Sequence, residues 1–280
     1  MNIASWWWFI WKVVRVLLIS YVLLAVLVFL FQHKFVYHPS STPMVPFEDP
    51  GIPVESCWIK TADGVKLHGW WMDQETDAPV LLFFHGNGGN LTHRVEWFRM
   101  LHNRGLRILA IDYRGYGQSG GSPSEEGLYS DAEAAYDYLI TQKKADPNDI
   151  ISYGKSLGTA VALRLALSQP VAGVVLESPF ISAEAMAREM FPFLPPGPFV
   201  RSDFGNADRI GQLTKPVLII HGDNDEIVPF EQGRVVFEAA TGDREFYRID
   251  GAGHNNLYKV GGEPYLERIT EFCHRVASHR

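Results

Sequence analysis

The residues with the clearest potential for chemistry are a serine between two glycines, a later aspartate and a later histidine. Ser156 lies at the centre of residues 154–158, Gly-Lys-Ser-Leu-Gly, which fit the pattern G-x-S-x-G between a predicted strand and a predicted helix. A hydroxyl at such a turn is exposed, and it lies near backbone N–H groups that stabilise a developing negative charge. The pattern therefore makes Ser156 a candidate nucleophile.

A serine nucleophile needs a base that accepts its proton and an acid that orients the base. Asp225 follows the predicted strand 216–220, and His254 follows the predicted strand 245–249. Open α/β sheets place their sites at the carboxyl ends of parallel strands. The chain order Ser156, Asp225, His254 is also the order in which one class of serine hydrolases carries its triad. We therefore predict that His254 is the base and Asp225 its acid.

A glycine-rich loop completes the candidate site. Residues 85–90, His-Gly-Asn-Gly-Gly-Asn, follow the predicted strand 80–84. Their small side chains let backbone N–H groups approach a carbonyl oxygen. We predict an oxyanion hole formed by the N–H of Asn87 and the N–H of Leu157, the residue after the nucleophile.

The elements that must position these residues are predicted from hydrophobic periodicity. Short, nearly continuous apolar runs predict strands buried on both faces, and they alternate with helical patterns. The predicted strands cover residues 57–60, 66–72, 80–84, 107–111, 150–153, 171–176, 216–220 and 245–249. The predicted helices cover residues 91–103, 125–143, 157–167, 231–240 and 263–277. This alternation indicates one α/β domain over residues 56–280, with a mainly parallel sheet and helices on both faces.

A segment of about residues 180–213 fits no regular unit. Prolines and phenylalanines are concentrated in it. We interpret the segment as a small apolar cap inserted over the strand ends. Phe191, Phe193 and Phe199 are its candidate substrate-binding side chains, and packing in a core is the alternative role for the same residues.

The N-terminal residues form a separate unit. Residues 16–31 are uncharged, and the apolar span reaches nineteen residues from Val13 if Arg15 snorkels toward the head groups. That length nearly crosses a hydrocarbon core of about 30 Å. Tryptophans precede the span, as in an interfacial belt. We predict an uncleaved membrane anchor over residues 1–34. The alternatives are a core helix or a signal peptide, which would have a shorter apolar region and a small-residue cleavage site.

The flanks of the anchor predict how the domain is held. Residues 35–55 contain five prolines and are predicted to be an extended linker that holds the domain away from the bilayer. Lys12 and Arg15 precede the span, whereas Lys34 follows it. The positive-inside rule then predicts a cytoplasmic N-terminus and a catalytic domain on the far side of the membrane.

Composition narrows the classes of function. The formal net charge of the 280 residues is −7, so there is no basic character that would favour nucleic acid as a partner. The two cysteines, Cys57 and Cys273, form neither a disulfide framework nor a zinc site. We expect no metal and no organic cofactor, because a serine triad needs neither.

Taken together, the motifs resemble the membrane-anchored, single-domain serine hydrolases of the α/β-hydrolase superfamily. That group is described as serine aminopeptidase-like or lysophospholipase-like, and it includes protein-depalmitoylating thioesterases. The resemblance extends over about residues 56–275, and six motifs carry it: HGNGGN at 85–90, DYRGYGQSGG at 112–121, GKSLG at 154–158, ESPF at 177–180, HGDNDEIVP at 221–229 and GAGH at 251–254. It implies that Asp225 is the triad acid and Asp223 is structural. Glu177, after another predicted strand, is the alternative acid.

The resemblance also implies an activity. It implies that an ester or thioester is hydrolysed through an acyl-enzyme, and the anchor and cap favour a lipid-like or acylated substrate at a membrane. A serine peptidase of the same fold that acts on short peptides is one alternative. A non-catalytic, membrane-tethered binding module is the other, although such a module would need neither a triad nor an oxyanion loop.

Overall fold

Strands and helices alternate along the chain in a computed structural model, which describes residues 3–74, 78–194 and 200–277. The strands are β1 (His38–Pro39), β2 (Glu55–Lys60), β3 (Lys66–Met72), β4 (Val80–Phe84), β5 (Gly88–Gly89), β6 (Arg107–Ile111), β7 (Ile150–Lys155), β8 (Gly173–Glu177), β9 (Val217–Gly222) and β10 (Arg244–Ile249). The helices are α1 (Ile3–Phe31), α2 (His33–Val36), α3 (Val95–His102), α4 (Glu125–Thr141), α5 (Leu157–Ser168), α6 (Ala183–Met190), α7 (Asn206–Ile210), α8 (Phe230–Ala239) and α9 (Leu257–Ala277).

Eight of these strands form one sheet in the order β10-β9-β8-β7-β4-β6-β3-β2. β2 pairs antiparallel with β3, and β3 pairs antiparallel with β6, whereas the remaining pairs are parallel. Every residue of β4, β8 and β9 is buried, as expected for strands covered on both faces. The fold class predicted from the apolar runs is confirmed.

Two apolar cores lie on the two faces of the sheet. α4 and α5 contribute to one core, whose members include Leu128 and Val161. α3 and α9 contribute to the other, whose members include Phe98 and Phe272. This arrangement leaves the carboxyl ends of the parallel strands uncovered by those helices, and the loops that follow the strands meet there.

Two predicted helices differ from the structure at their starts. The predicted helix 91–103 begins as a short 3-10 helix, Leu91–Arg94, because the side chain of Asn90 accepts a hydrogen bond from the N–H of Thr92 and caps that turn. α9 consists of two helical stretches separated by a kink at Gly262, where φ is 54°. The second stretch follows the kink, where the helix is predicted to start, and the first stretch, from Leu257, is an addition to the prediction.

Residues 37–55, which we call the strap, correct the prediction of a free linker. β1 lies in the strap and pairs in parallel with β5 of the glycine-rich loop. Tyr37, Phe47 and Ile52 are buried in the two cores. The indole N–H of Trp70 also donates to the carbonyl of Phe47 at 3.1 Å. The strap is extended, as its prolines predict, but its apolar side chains hold it against the domain.

Helix α1 is apolar and exposed. Its Trp6–Phe31 portion has 26 residues and contains an 18-residue window with a mean hydropathy of 2.8, none of which is buried. Among the described helices it is the one that is long and apolar enough to cross a membrane.

Candidate active site

The turn between β7 and α5 presents Ser156. The backbone of Ser156 has φ 51° and ψ −120°, a left-handed conformation that is strained for a residue with a side chain. Its N–H donates to the carbonyl of Glu177 at 2.8 Å, which ties the turn to the neighbouring strand β8. The strained backbone places the hydroxyl at the N-terminus of α5, where the helix dipole favours negative charge.

The two glycines of the pentapeptide allow α5 to cross the sheet very closely. A Cβ on Gly158 would lie 2.0 Å from the carbonyl oxygen of Phe84, at the end of β4. A Cβ on Gly154 would lie 2.2 Å from the carbonyl oxygen of Gly158. Because both close atoms belong to the backbone, a side chain at either position would force the helix away from the strand.

Asp225 and His254 are brought together from two loops. The Nδ1 of His254 lies 2.8 Å from Oδ2 of Asp225, and both side chains are buried. The other oxygen of Asp225, Oδ1, accepts the N–H groups of Ile227 at 2.9 Å and Val228 at 2.8 Å. When Nδ1–H donates to the carboxylate, Nε2 of the neutral imidazole carries the lone pair that can accept a proton.

The surroundings of Asp225 keep it ionised. Burial opposes its negative charge, but the hydrogen bonds from His221 and His254 and the N–H of Val228 outweigh that penalty, so the pKa of Asp225 lies far below its ordinary value. Nε2 of His221 lies 3.4 Å from Oδ2 of Asp225. At neutral pH the acid is therefore a carboxylate and can stabilise an imidazolium.

Asp223 makes different contacts from those of Asp225. Its Oδ1 accepts the N–H of Gly251 at 2.6 Å, and its Oδ2 lies 2.7 Å from the guanidinium of Arg248. These contacts join the loop that carries Asp225 to the loop that carries His254. These contacts agree with the structural role that the resemblance implies for Asp223.

Glu177, the alternative acid, belongs to a separate buried cluster. It accepts hydrogen bonds from Lys155 at 2.7 Å, from Tyr265 at 2.7 Å and from the hydroxyl of Tyr153. Burial disfavours its charge, but Lys155 and the two hydroxyls outweigh that effect and lower the pKa of Glu177. The structure thus places Asp225, and not Glu177, on His254. The cluster lies behind the nucleophile turn, and no local pattern in the sequence predicts it.

The glycine-rich loop lies against Ser156. A Cβ on Gly86 would come within 3.4 Å of the Ser156 Cβ and 3.9 Å of its Oγ. Within the described residues, neither the N–H of Asn87 nor that of Leu157 donates to a protein acceptor. Both groups are therefore available as hydrogen-bond donors, and their role as an oxyanion hole stays a prediction.

Two side chains that the sequence analysis did not single out hold this loop. The hydroxyl of Tyr116 donates to the carbonyl of Asn87 at 2.8 Å, and the guanidinium of Arg94 donates to the carbonyl of Gly88 at 2.6 Å. The backbone N–H of His38 in the strap also donates to the carbonyl of Asn87, at 2.9 Å. These contacts fix the peptides that follow Asn87 and Gly88. The peptide that carries the N–H of Asn87 is held separately, because the carbonyl of Gly86 accepts a hydrogen bond from Nδ1 of His85 at 2.6 Å.

The hydroxyl of Ser156 makes no hydrogen bond with His254 in the part of the chain that the structure describes. Catalytic hydrogen bonds of this kind often tighten only when substrate is bound. The pairing of His254 with Asp225 is thus already formed, whereas the contact between nucleophile and base is not.

A cavity of about 960 Å³ opens at Ser156, Leu157 and Asn87, and most of its other walls are apolar. Phe191 lines it, as predicted for a substrate-binding side chain. Phe193 corrects the prediction, because its side chain is 87% exposed on the turn after α6 and is absent from the wall. Phe199 lies outside the described residues.

Known proteins resemble this chain in sequence and in structure. A family model for the alpha/beta hydrolase fold matches residues 79–199. An uncharacterized protein of Mycobacterium tuberculosis is 36% identical over 249 residues, which are 88% of each chain. The alpha/beta hydrolase domain-containing protein WAV2 of Arabidopsis thaliana is 33% identical over 89% of this chain and 90% of its own. The Pyrococcus furiosus esterase Pf2001 superposes with a TM-score of 0.71 at 26% identity, over 86% of this chain and 97% of the esterase.

Proposed function

This chain belongs to the α/β-hydrolase family, and from that premise we propose that it is a serine hydrolase of carboxylic esters or thioesters. The observation that carries the proposal is the 2.8 Å contact between His254 Nδ1 and Asp225 Oδ2, and the strained Ser156 at a helix N-terminus supports it. Three residues from three loops have the roles of base, acid and nucleophile. The esterase Pf2001 supports the choice of ester chemistry for the fold.

In the proposed mechanism, Oγ of Ser156 attacks the ester carbonyl while Nε2 of His254 accepts its proton. The carboxylate of Asp225 stabilises the imidazolium. The N–H groups of Asn87 and Leu157 donate to the oxyanion of the tetrahedral intermediate. His254 then protonates the departing alcohol or thiol, and an acyl group remains on Ser156. Water, deprotonated by His254, releases the acid and restores the serine.

The substrate in this proposal is lipid-like or acylated and is cleaved at a membrane. The large apolar cavity at Ser156 supports an acyl chain, because each CH₂ that leaves water gains about 0.8 kcal/mol. A polar peptide would gain little in such a cavity. The proposal includes α1 as the anchor, with the N-terminus in the cytoplasm and the catalytic domain on the far side. The basic residues on either side of the uncharged run 16–31 support this orientation.

Labelling with a fluorophosphonate tests the nucleophile. Purified full-length protein in detergent is incubated with the probe, and Ser156→Ala is treated in parallel. We expect covalent labelling of the wild-type protein and none of the variant, because the probe reacts with an activated serine. Equal labelling of both proteins would place the reactive serine elsewhere.

A pair of substrates then separates an esterase from a peptidase. We expect hydrolysis of nitrophenyl acetate and little or no hydrolysis of an aminoacyl anilide, whose amine is a poorer leaving group. An anilide cleaved faster than the ester would favour the peptidase.

A further inference from the structure

One wall of the cavity at Ser156 is made by helix α1. The lining begins at Tyr21, about three turns before α1 ends, and continues through Gln32 into α2. The lining residues of this part of the chain are Tyr21, Val22, Ala25, Val26, Val28, Phe29, Gln32, Phe35 and Val36. Ala25, Val28 and Phe29 are half-buried, whereas their neighbours Leu24 and Leu27 are exposed. A helix that served as a tether alone would not need to contribute a face to the active site.

Specific contacts seat this face against the cap. The hydroxyl of Tyr21 donates to the carbonyl of Phe193 at 3.0 Å. The rings of Phe35 and Phe191 meet edge to face with centroids 5.3 Å apart. These two contacts hold the end of α6 and the turn after it at Tyr21 and at Phe35, which are about four helical turns apart along the chain.

Arg201 makes a third contact between the cap and α1. Its backbone N–H donates to the side-chain oxygen of Gln32 at 2.8 Å, and its guanidinium lies 4.3 Å from the ring centroid of Phe29. A cation over an aromatic face is attractive, more so where water is scarce. These contacts fix the rotation of α1 about its axis, and so they fix which of its residues face the cavity.

The opposite wall of the cavity is formed by α6, and it is also apolar. Ala183, Met186, Ala187 and Met190 recur at helical spacing and line the cavity. No residue of α6 is fully buried, and Ala183 and Met186 also pack against the core, so this apolar face lies between the core and the cavity. Two apolar helix faces thus enclose a slot that leads to the Ser156 hydroxyl.

The part of α1 that lines the slot is the end nearest the catalytic domain. Its lining residues begin at Tyr21, whereas Lys12 and Arg15 lie toward the other end of the helix. The slot is therefore built on the same apolar helix that the proposed function places in the bilayer, close to the acyl chains of its lipids.

From these observations we propose that α1 is a specificity-determining wall, and that the acyl chain of a bilayer-embedded ester enters between α1 and α6 with its carbonyl at Ser156. The occupant is an acyl chain, because the residues that α1 and α6 contribute to the cavity are mostly apolar. The proposal rests on the proposed function, since it names the substrate of that same site. It makes the anchor a part of substrate recognition.

A pair of substitutions on adjacent residues of α1 tests the proposal. Ala25→Phe adds a ring to the cavity wall, and Leu24→Phe adds one to the exposed side of the same turn. Full-length proteins in phosphatidylcholine liposomes are assayed with nitrophenyl esters from C2 to C16. Each CH₂ that finds no room loses about fourfold in affinity, so we expect Ala25→Phe to lower kcat/KM for C12 by about tenfold or more.

The short ester and the control variant make the result decisive. Leu24→Phe should keep the wild-type profile at every length, whereas Ala25→Phe should lower the ratio of the C12 rate to the C2 rate, since C2 does not reach along the slot. If Ala25→Phe leaves the C12 rate unchanged, or lowers C2 as much as C12, α1 is not a specificity wall although the hydrolase stands. If the wild-type protein hydrolyses no ester at all, the proposed function fails first.

Discussion

At the scale of single residues, the two buried carboxylates Asp225 and Glu177 have separate partners. Asp225 contacts His254, and Glu177 contacts Lys155 and two tyrosine hydroxyls. The chain order and the resemblance lead to the correct partner for His254. The tyrosine cluster around Glu177 could not be predicted, because it joins β7, β8 and α9, whose residues are far apart in sequence and follow no shared period.

The first prediction concerns the triad. Ser156→Ala, Asp225→Asn and His254→Ala should each lower kcat for nitrophenyl acetate by several decades, and the double variants should lose little more, because the three residues act as one unit. Steady-state rates measure the effect. Glu177→Gln is the matched control, and it should lose much less than Asp225→Asn. The opposite ranking would transfer the role of acid to Glu177.

The second prediction concerns pH. The pKa of Asp225 is lower in the folded protein than in the unfolded chain, so its ionisation stabilises the fold above the unfolded value of about 4 and the gain declines as pH falls below it. The difference in free energy of unfolding between the wild-type protein and Asp225→Asn should therefore be smaller at pH 3 than at pH 7. Urea unfolding at both pH values measures it. A difference that grows at pH 3 would contradict the direction of the pKa shift.

At the scale of elements, the crossing of α5 over β4 and β7 leaves no room for a side chain at Gly158. Gly158→Ala should lower stability by about 3 kcal/mol or more, because its Cβ would meet the carbonyl oxygen of Phe84. For a domain of this size that corresponds to a Tm about 6–12 °C lower. Melting followed by circular dichroism measures the change.

Gly120→Ala is the matched control for Gly158→Ala. A Cβ at Gly120 would lie 3.7 Å from the nearest atom, the carbonyl oxygen of Lys66, which is an ordinary contact. Its Tm should stay close to that of the wild-type protein. Equal losses in the two variants would mean that the close crossing is not what makes Gly158 necessary.

The strands were predictable and the strap was not, for a physical reason. β4 and β6 have the bounds that the apolar runs predict, because strands buried on both faces leave continuous hydrophobic stretches. The strap has apolar residues at irregular intervals, such as Tyr37 and Phe47, and prolines that suit a spacer as well as a docked segment. The contact of α1 with the cap joins residues more than 150 positions apart, so no local sequence pattern could predict it.

At the scale of the whole molecule, we expect the anchor to determine whether the protein is bound to the membrane, whereas the catalytic residues belong to the rest of the chain. Full-length protein should sediment with membranes at high speed and stay there after alkaline carbonate, because the apolar face of α1 exceeds what a soluble domain leaves exposed. Deletion of residues 1–34 should release it to the supernatant. Full-length protein in the supernatant would contradict the membrane assignment.

The same deletion bears on selectivity. It keeps Ser156, Asp225, His254 and the oxyanion loop but removes the α1 wall of the cavity. The shortened protein should hydrolyse C2 esters at a rate close to that of the full chain and should respond weakly to chain length. A full chain-length preference in the shortened protein would assign the slot to the cap alone.

Under the proposed function, the strap connects the membrane anchor to the loop of the proposed oxyanion hole. Six residues separate the end of α1 at Phe31 from His38, whose N–H holds the carbonyl of Asn87. A membrane thinner than the apolar helix tilts it, and so short a connection passes that tilt to the glycine-rich loop. We therefore expect the hydrophobic thickness of the membrane to affect turnover. Turnover of nitrophenyl acetate should change between liposomes of C14 and C22 phosphatidylcholine for the full chain, and a thickness-independent rate would show that the strap absorbs the tilt.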